Sequence, residues 1–435
     1  MIDFAVMALL LMLTLAFAPG SASPGAALAG LGGVGVGLRG GSGELEDNPA
    51  ASAFALGFDE GVVSLGASWA RLTFSGYAFN AGVTTTRSFD VTAPTGFGIV
   101  TPRTRAGRLA LGLWEVEHRA LELTEPLDRG LVERPGAPAP LSATYESGNT
   151  RLRQDEALHA AGACWIAEFA DGDARLALGG AWLSGLARDA VEVEATRAAD
   201  GAVDRLRKVE TRRTLEGPAA IVGVLYRPVP EGSVGLRVMH AGVLKGRAWT
   251  QAAGGALYRD DVSRPAQERV GLGGAVTFWQ DLTLAADLEF LSEIRGGATL
   301  FRGTPLEGYA DERSEVAIQS RMGVEWPLKL ARGTLPLRAG FFIRQDPLPA
   351  TVRATASAAV QAFAPASFKQ DVTGWTVGTG WSGGALRADL ALEWLLVTTH
   401  VKQRGPSGVV DFGDTRNGLA AVASVTLVFG RRAAE

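Results

Sequence analysis

The chain has 435 residues, enough for two or three soluble domains or for one large barrel. Its 42 basic and 46 acidic residues give a net charge of −4, which excludes the basic stripe that a nucleic-acid partner would require. The single cysteine, Cys164, excludes an intrachain disulfide, and the 4 histidines lack metal-ligand spacing, so we expect no metal site and no cofactor.

The N-terminus is similar to a secretory signal peptide. An apolar stretch runs from Phe4 to Phe17 and is followed by small residues at 18–23. This stretch is shorter than the ~20 residues that a membrane-spanning helix needs. We therefore predict that residues 1–22 are a signal peptide and that the chain is exported.

Residues 24–58 are rich in glycine and alanine and show no strand pattern. The run Gly30–Gly37 superficially resembles a dinucleotide-binding loop. Such a loop follows a strand and opens a helix, whereas this one follows the signal peptide. We interpret it as flexible backbone, because glycine adopts conformations that other residues resist.

From residue 59 the sequence repeats one pattern: about ten residues in which apolar and polar side chains alternate, followed by a turn. This pattern is typical of an outer-membrane β-barrel. In Leu282–Phe290, leucines and other apolar residues alternate with polar and small ones. In a barrel the apolar set contacts lipid and the other set faces the lumen. The same pattern recurs in Val270–Phe278, Leu386–Trp394 and Ala421–Phe429.

Short turns alternate with longer polar connections, as they do in outer-membrane barrels. We predict six turns, which leads to about 14 antiparallel strands over residues 59–429 and places both termini on the periplasmic side. The alternative is a soluble β-sandwich or propeller, which also alternates but needs neither export nor aromatic strand ends. The turns lie at 102–106, 171–173, 230–232, 280–281, 332–334 and 382–384, and the longer connections at 118–156, 185–214, 245–267, 293–313, 345–369 and 397–418.

The segment Gly37–Ala50 contains an acidic patch and Asn48-Pro49-Ala50, and Glu268–Glu293 contains the run LAADLE. Together with three further segments, these resemble the FadL-type family of outer-membrane transporters for long-chain fatty acids and other hydrophobic compounds. The resemblance covers most of residues 25–429 and is densest after 215. The segments are Gly37–Ala50, Gly217–Val238, Glu268–Glu293, Leu335–Arg344 and Val372–Trp394.

The resemblance implies an all-β, 14-stranded transmembrane barrel in the cell outer membrane, with residues 24–58 as a hatch in the lumen. It also implies passive transport: a long-chain fatty acid or other hydrophobic cargo enters an apolar pocket and leaves by rearrangement of the hatch or through a lateral wall opening. Outer-membrane lipid, lipopolysaccharide and the barrel-assembly machinery are the other expected partners. The candidate hatch and pocket residues are Asn48, Pro49, Ala50, Phe54, Leu56 and Phe58.

Charged residues at inward positions have two interpretations: a network of ion pairs that stabilises the barrel and holds the hatch, or arginines that meet a cargo carboxylate. A hydrolase would need a serine and a histidine with an orienting partner, which the spacing does not provide, so we expect no enzyme. Rival hypotheses are a non-transporting scaffold or adhesin and a general porin. The inward charges are Asp287, Glu289, Arg338, Arg387, Asp389 and Glu393, together with Arg175 and Arg237.

Overall fold

The computed structural model describes most of the chain after residue 60 and shorter pieces before it. Within the described residues no helix is both long and apolar enough to cross a membrane. The described residues are 26–29, 31, 33–36, 38, 45, 48–53, 56, 60–78, 83–126, 145–197, 199–251, 257–278, 281–300, 308–314, 316–346, 351–354, 365–405 and 408–430.

The described residues form a closed antiparallel barrel of fourteen strands, which confirms the predicted fold class. Each strand pairs with its neighbours in sequence, and β1 closes the cylinder by pairing with β14 from Glu60↔Gly430 to Thr73↔Asn417. Five strands consist of two segments joined by a short break. The strands are β1 (Glu60–Ala78), β2 (Val83–Val100), β3 (Arg108–Pro126), β4 (Tyr145–Phe169), β5 (Ala174–Arg197), β6 (Val203–Val229), β7 (Gly232–Ala241, Val243–Gln251), β8 (Leu257–Pro265, Arg269–Thr277), β9 (Thr283–Leu291, Ile294–Leu300), β10 (Gly308–Ser314, Ala317–Leu330), β11 (Gly333–Asp346, Thr351–Ala354), β12 (Pro365–Gly383), β13 (Leu386–Gly405) and β14 (Gly408–Gly430).

Side chains along the strands alternate between an exposed outer face and a buried inner face. In β9, Leu284, Leu288 and Phe290 are exposed, whereas Asp287 and Glu289 are each only 2% exposed. A cylinder that is apolar outside and polar inside is suited to lipid, because soluble monomers rarely expose large continuous apolar patches. Exposed aromatic side chains near the short-turn ends of the strands are Trp165, Phe169, Phe278, Trp326, Trp381 and Phe429, whereas the exposed Trp182, Trp375 and Trp394 lie near the middle of β5, β12 and β13.

The predicted longer connections are largely strand, and this part of the prediction is wrong. The connection predicted at 185–214 is reduced to a few residues, since β5 continues to Arg197 and β6 begins at Val203. The ladder of backbone hydrogen bonds continues beyond the bilayer, where lipid no longer selects apolar outward side chains, so the sequence pattern weakens. The other connections, predicted at 118–156, 245–267, 293–313, 345–369 and 397–418, are shortened in the same way.

The described residues between Ala26 and Leu56, here called the lumenal segment, lie inside the barrel. They begin with a four-residue helix, α1 (Ala26–Ala29), that is fully enclosed. Ala26 and Ala29 of this helix pack against Ala391 of β13 and Val422 of β14. Further along, the segment contacts the inner faces of β10, β9, β7, β6 and β3. It therefore follows the inner wall around much of the circumference.

Candidate functional site

A buried carboxylate on the wall holds the middle of the lumenal segment. The Asp287 carboxylate of β9 accepts hydrogen bonds from the backbone N–H groups of Gly35 (2.6 Å) and Val36 (2.9 Å), both to Oδ2. From β10, Arg321 donates to the backbone carbonyl of Gly33 at 3.2 Å. Hydrogen bonds to an ionised group are stronger than those between neutral groups, so Asp287 is the main polar attachment of residues 33–36.

Asn48 forms a second attachment and starts a turn. Its Nδ2 donates to the backbone carbonyls of Val36 (2.7 Å) and of Val224 on β6 (3.0 Å), and its Oδ1 accepts from the N–H of Ala50 (3.0 Å). The last contact is the side-chain-to-backbone bond that favours asparagine in turns. Pro49 follows with its φ restricted by the ring, and Ser52 donates to the carbonyl of Pro49 at 2.7 Å. Asn48 thus joins the two halves of the lumenal segment to the wall.

Glycines of the inner wall allow the lumenal backbone to approach the strands closely. A Cβ atom on Gly235 of β7 would lie 1.9 Å from the carbonyl oxygen of Val36, and one on Gly323 of β10 would lie 2.4 Å from that of Leu31. Such separations are shorter than any van der Waals contact allows, so no larger residue fits unless the lumenal segment moves. The lumenal segment and the wall therefore form one packed unit.

Most of the predicted inward charges form ion pairs. Arg175 of β5 pairs with Glu168 of β4 at 3.8 Å, and the remaining pairs form two groups. In the first group, Glu289 is bound by Arg237 of β7 and by Arg321 of β10, the latter at 2.9 Å. In the second group, Arg338 of β11 contacts Asp389 of β13 at 2.7 Å. Removing one partner of such a buried pair strongly destabilises the folded protein, because the other charge is left uncompensated. Two further residues complete the second group: Glu325 lies 2.6 Å from Arg338, and Arg387 lies 2.7 Å from Asp389. Glu393, also predicted to face inward, is buried and only 3% exposed.

Arg108 of β3 joins the end of the lumenal segment to the barrel at the end that carries the short turns. It donates to the carbonyls of Glu60 (2.6 Å) and Thr101 (3.2 Å), and a longer contact of 3.4 Å reaches the carbonyl of Leu56. It also pairs with Glu168 of β4 at 3.0 Å. Arg108 is only 2% exposed, so these contacts are screened little by water. The lumenal segment is therefore also anchored where it continues into β1.

A narrow, half-open cavity of about 10 Å³, the room of roughly one water molecule, lies between the lumenal segment and the wall. Leu45 of the lumenal segment forms one side, and two guanidinium groups reach it: Arg237, which also pairs with Glu289, and Arg269, which donates to the backbone carbonyl of Val116. The lining is otherwise apolar, as in most ligand sites. The residues around the cavity are Leu45, Trp114, Val116, Ile221, Arg237, Met239 and Arg269.

Next to this cavity, the described residues of two neighbouring strands pair over only part of their length. Strands β2 and β3 pair between Gly96–Val100 and Ala110–Trp114, although β2 begins at Val83 and β3 continues to Pro126. Both strands carry an irregularity where the pairing stops: β2 shifts register against β1 beside Gly66, and Val116 is the extra residue in β3 opposite β4. Bulges bend strands and end pairing. Val116 also lines the cavity, so the cavity lies beside the wall opening.

Of the predicted hatch and pocket residues, the four that the structure describes lie outside the cavity lining. Asn48, Pro49 and Ala50 form the turn described above, and Leu56 packs against the main apolar cluster and does not line the cavity. Phe54 and Phe58 lie outside the described residues, so the role of the predicted set stays a prediction. Arg237 is the one residue of the cavity lining that was predicted from the sequence to face inward. The other lining residues come from distant parts of the chain, and no local sequence pattern connects them.

Comparison with known proteins gives the fold. The sequence matches no protein-family model and no curated protein. Similar solved structures include a Pseudomonas aeruginosa FadL homologue (12% identity, TM-score 0.57, 96% of this chain and 100% of that chain). Others are the Pseudomonas putida toluene transporter TodX (16%, 0.52, 93% and 98%) and the Ralstonia pickettii toluene transporter TbuX (16%, 0.50, 94% and 98%). The chain therefore has the barrel fold of FadL-type proteins.

Proposed function

We propose that this chain is an outer-membrane channel through which small hydrophobic molecules diffuse passively. The observation that carries the proposal is the mostly apolar cavity around Trp114, Ile221 and Met239, which lies beside the point where β2 and β3 part and has to widen to admit cargo. An apolar molecule gains ~0.8 kcal/mol for each methylene that moves from water into such a site. Solved structures with this fold include proteins described as toluene transporters, which favours the same class of cargo.

The position of the lumenal segment argues against the rival functions. A general porin needs an open, water-filled lumen, whereas Asp287, Asn48 and Arg321 hold the lumenal segment across it. A scaffold or adhesin would need neither an apolar cavity nor a wall opening next to it. In the proposed function the chain is exported by residues 1–22, folded by the barrel-assembly machinery, and acts without enzymatic chemistry or a cofactor.

Within this class we propose long-chain fatty acids as the first cargo to test, because the sequence resemblance implies them. Monoaromatic hydrocarbons are the competing cargo, since two of the similar structures are toluene transporters. We further propose that cargo leaves the cavity sideways, between β2 and β3. This route keeps an apolar molecule out of water, which a route along the polar lumen does not.

Uptake by intact cells tests the proposal. A Gram-negative host that lacks its own channels for hydrophobic compounds would express the chain and receive radiolabelled oleate or naphthalene. We expect wild type to raise uptake, and Met239→Trp, which fills the cavity, to lower it roughly tenfold, equivalent to the loss of about two buried methylene contacts. Val238→Trp is the matched control, because Val238 lies on the outward face next to Met239.

Two outcomes decide the matter. Equal uptake by cells with and without the chain, for both compounds, would remove the proposed function. For the exit route, a cysteine pair at positions 95 and 115, the residues next to Gly96 and Trp114 where the pairing of β2 and β3 ends, is expected to block uptake when oxidised and to restore it when reduced. Equal uptake by the oxidised and the reduced protein would show that cargo does not leave between β2 and β3.

A further inference from the structure

A row of arginines crosses the outer surface of the barrel above its apolar band. The strand register aligns Arg188 of β5, Arg212 of β6, Trp249 of β7 and Arg259 of β8 on one rung. The side chains of Arg188 and Arg212 are 40% and 62% exposed, and Arg259 is exposed. The neighbouring Asp189 is buried on the inner face, so the rung faces outward.

The rung lies where the hydrocarbon of a bilayer ends. On β5, Leu186 is 56% exposed and lies directly below Arg188, so the apolar surface of this strand reaches the rung. On β6–β8, polar residues such as Glu216 and Lys245 continue for two rungs below it. On β6, the stretch from the exposed Tyr226 to Arg212 corresponds to roughly 45 Å along the strand, or about 35 Å of height for a tilted strand. The hydrocarbon core is ~30 Å thick and headgroups add several ångströms on each side. The arginines therefore lie at headgroup level.

Positive charge is in excess around this rung. Glu210 binds Arg188 at 2.7 Å and Arg212 at 2.5 Å, and so offsets one of the two charges. Arg188 and Arg212 are direct cross-strand partners, and like charges in that relation repel each other. The excess covers the outward positions of β5–β8 on this rung, the rung above it and the two rungs below it. These positions hold five basic residues and three acidic ones: Arg188, Arg212, Lys245, Arg247 and Arg259 against Glu210, Glu216 and Asp261.

We infer that Arg188, Arg212, Arg247 and Arg259, with Trp249, form a binding surface for the phosphorylated headgroup of an outer-leaflet glycolipid, the lipid A part of lipopolysaccharide. Guanidinium groups bind phosphate with paired hydrogen bonds, and tryptophan favours the membrane interface. The rung spans three strand spacings, roughly 15 Å, so separate arginines can hold the two phosphates of one headgroup. Acyl chains would then lie against the apolar surface below, at Leu186 and Trp182. The inference uses only the membrane position and orientation from the proposed function.

Native mass spectrometry of the detergent-solubilised full chain tests the surface with purified bisphosphorylated lipid A. The variant carries Arg188→Gln, Arg212→Gln and Arg259→Gln. Each basic residue near an anionic surface contributes roughly a fivefold change in affinity, so we expect about 100-fold weaker binding. The matched control carries Arg227→Gln, Lys329→Gln and Arg332→Gln at the opposite rim and should bind like wild type.

Two further binding measurements distinguish a lipid headgroup from free inorganic phosphate as the ligand. Lipid A without phosphates should bind much more weakly than the bisphosphorylated form, and millimolar inorganic phosphate should not displace the latter. Equal loss in both triple variants, tight binding of the phosphate-free lipid, or full displacement by inorganic phosphate would each overturn the inference. Cargo uptake by the Arg188/Arg212/Arg259 variant should stay at the wild-type level, so a failure of the proposed function would appear in uptake and not in lipid binding.

Discussion

Replacing Leu288 by arginine is expected to destabilise the folded barrel in lipid by about 2–4 kcal/mol, the cost of a basic side chain near the middle of the bilayer on the lipid face of a barrel. Leu288 lies on the outer face of β9 and is 44% exposed, between its partners Leu272 on β8 and Ser320 on β10. The measurement is reversible denaturant unfolding of the protein folded into phospholipid vesicles.

Val203→Arg is the matched control for Leu288→Arg. Val203 begins β6 beyond the apolar band and is 65% exposed, so arginine there should change the unfolding free energy by no more than about 0.5 kcal/mol. Arginine in place of a surface leucine of a soluble protein would change the unfolding free energy as little as Val203→Arg does. If the two variants had the same small effect, Leu288 would face water and the chain would not span a membrane.

Replacing Asp287 by alanine is expected to release residues 33–36 of the lumenal segment while the barrel stays folded. The change removes two charge-assisted hydrogen bonds, each contributing about 1.5–3 kcal/mol, from the N–H groups of Gly35 and Val36. The barrel ladder does not depend on this side chain, since β9 pairs with β8 and β10 through its backbone. Hydrogen exchange of the Gly35 and Val36 amides should therefore accelerate at least about 100-fold, in proportion to the lost free energy.

Asp389→Ala is the control for Asp287→Ala. Asp389 is equally inward and buried, but its carboxylate pairs with Arg338 and Arg387 of the wall. Its removal leaves two arginines without this carboxylate and should lower barrel stability by about 3–5 kcal/mol while the Gly35 and Val36 amides remain protected. Identical exchange in the two variants would show that Asp287 does not specifically hold the lumenal segment.

The sequence pattern predicted the barrel because lipid imposes a period of two on every membrane-spanning strand. The exposed Leu284 and Leu288 and the buried Asp287 and Glu289 follow that period along β9. The short turns were predictable as well, since they interrupt the alternation, and four of the six contain glycine. The extensions beyond the bilayer were missed at 185–214, because there Arg188 faces headgroups or water and the pattern of apolar outward residues stops.

The cavity could not be predicted from the sequence. Trp114, Ile221 and Met239 come from three strands, and their meeting depends on how the register of the whole cylinder aligns β3 with β6 and β7. The inward bulge at Val116 has no distinctive local signal. Only the three-dimensional arrangement shows that Gly235 is the glycine that contacts Val36.

The most direct test of the proposed channel is the identity of the small molecules that co-purify with it. Wild type and Met239→Trp would be purified in the same detergent from cells supplied with labelled fatty acids and aromatic hydrocarbons, and their bound molecules identified by mass spectrometry. We predict that wild type retains a molecule of one of these classes and that Met239→Trp has lost it. Recovery of detergent and bulk phospholipid alone from wild type, or of the same hydrophobic molecule in equal amount from both proteins, would contradict binding in this cavity.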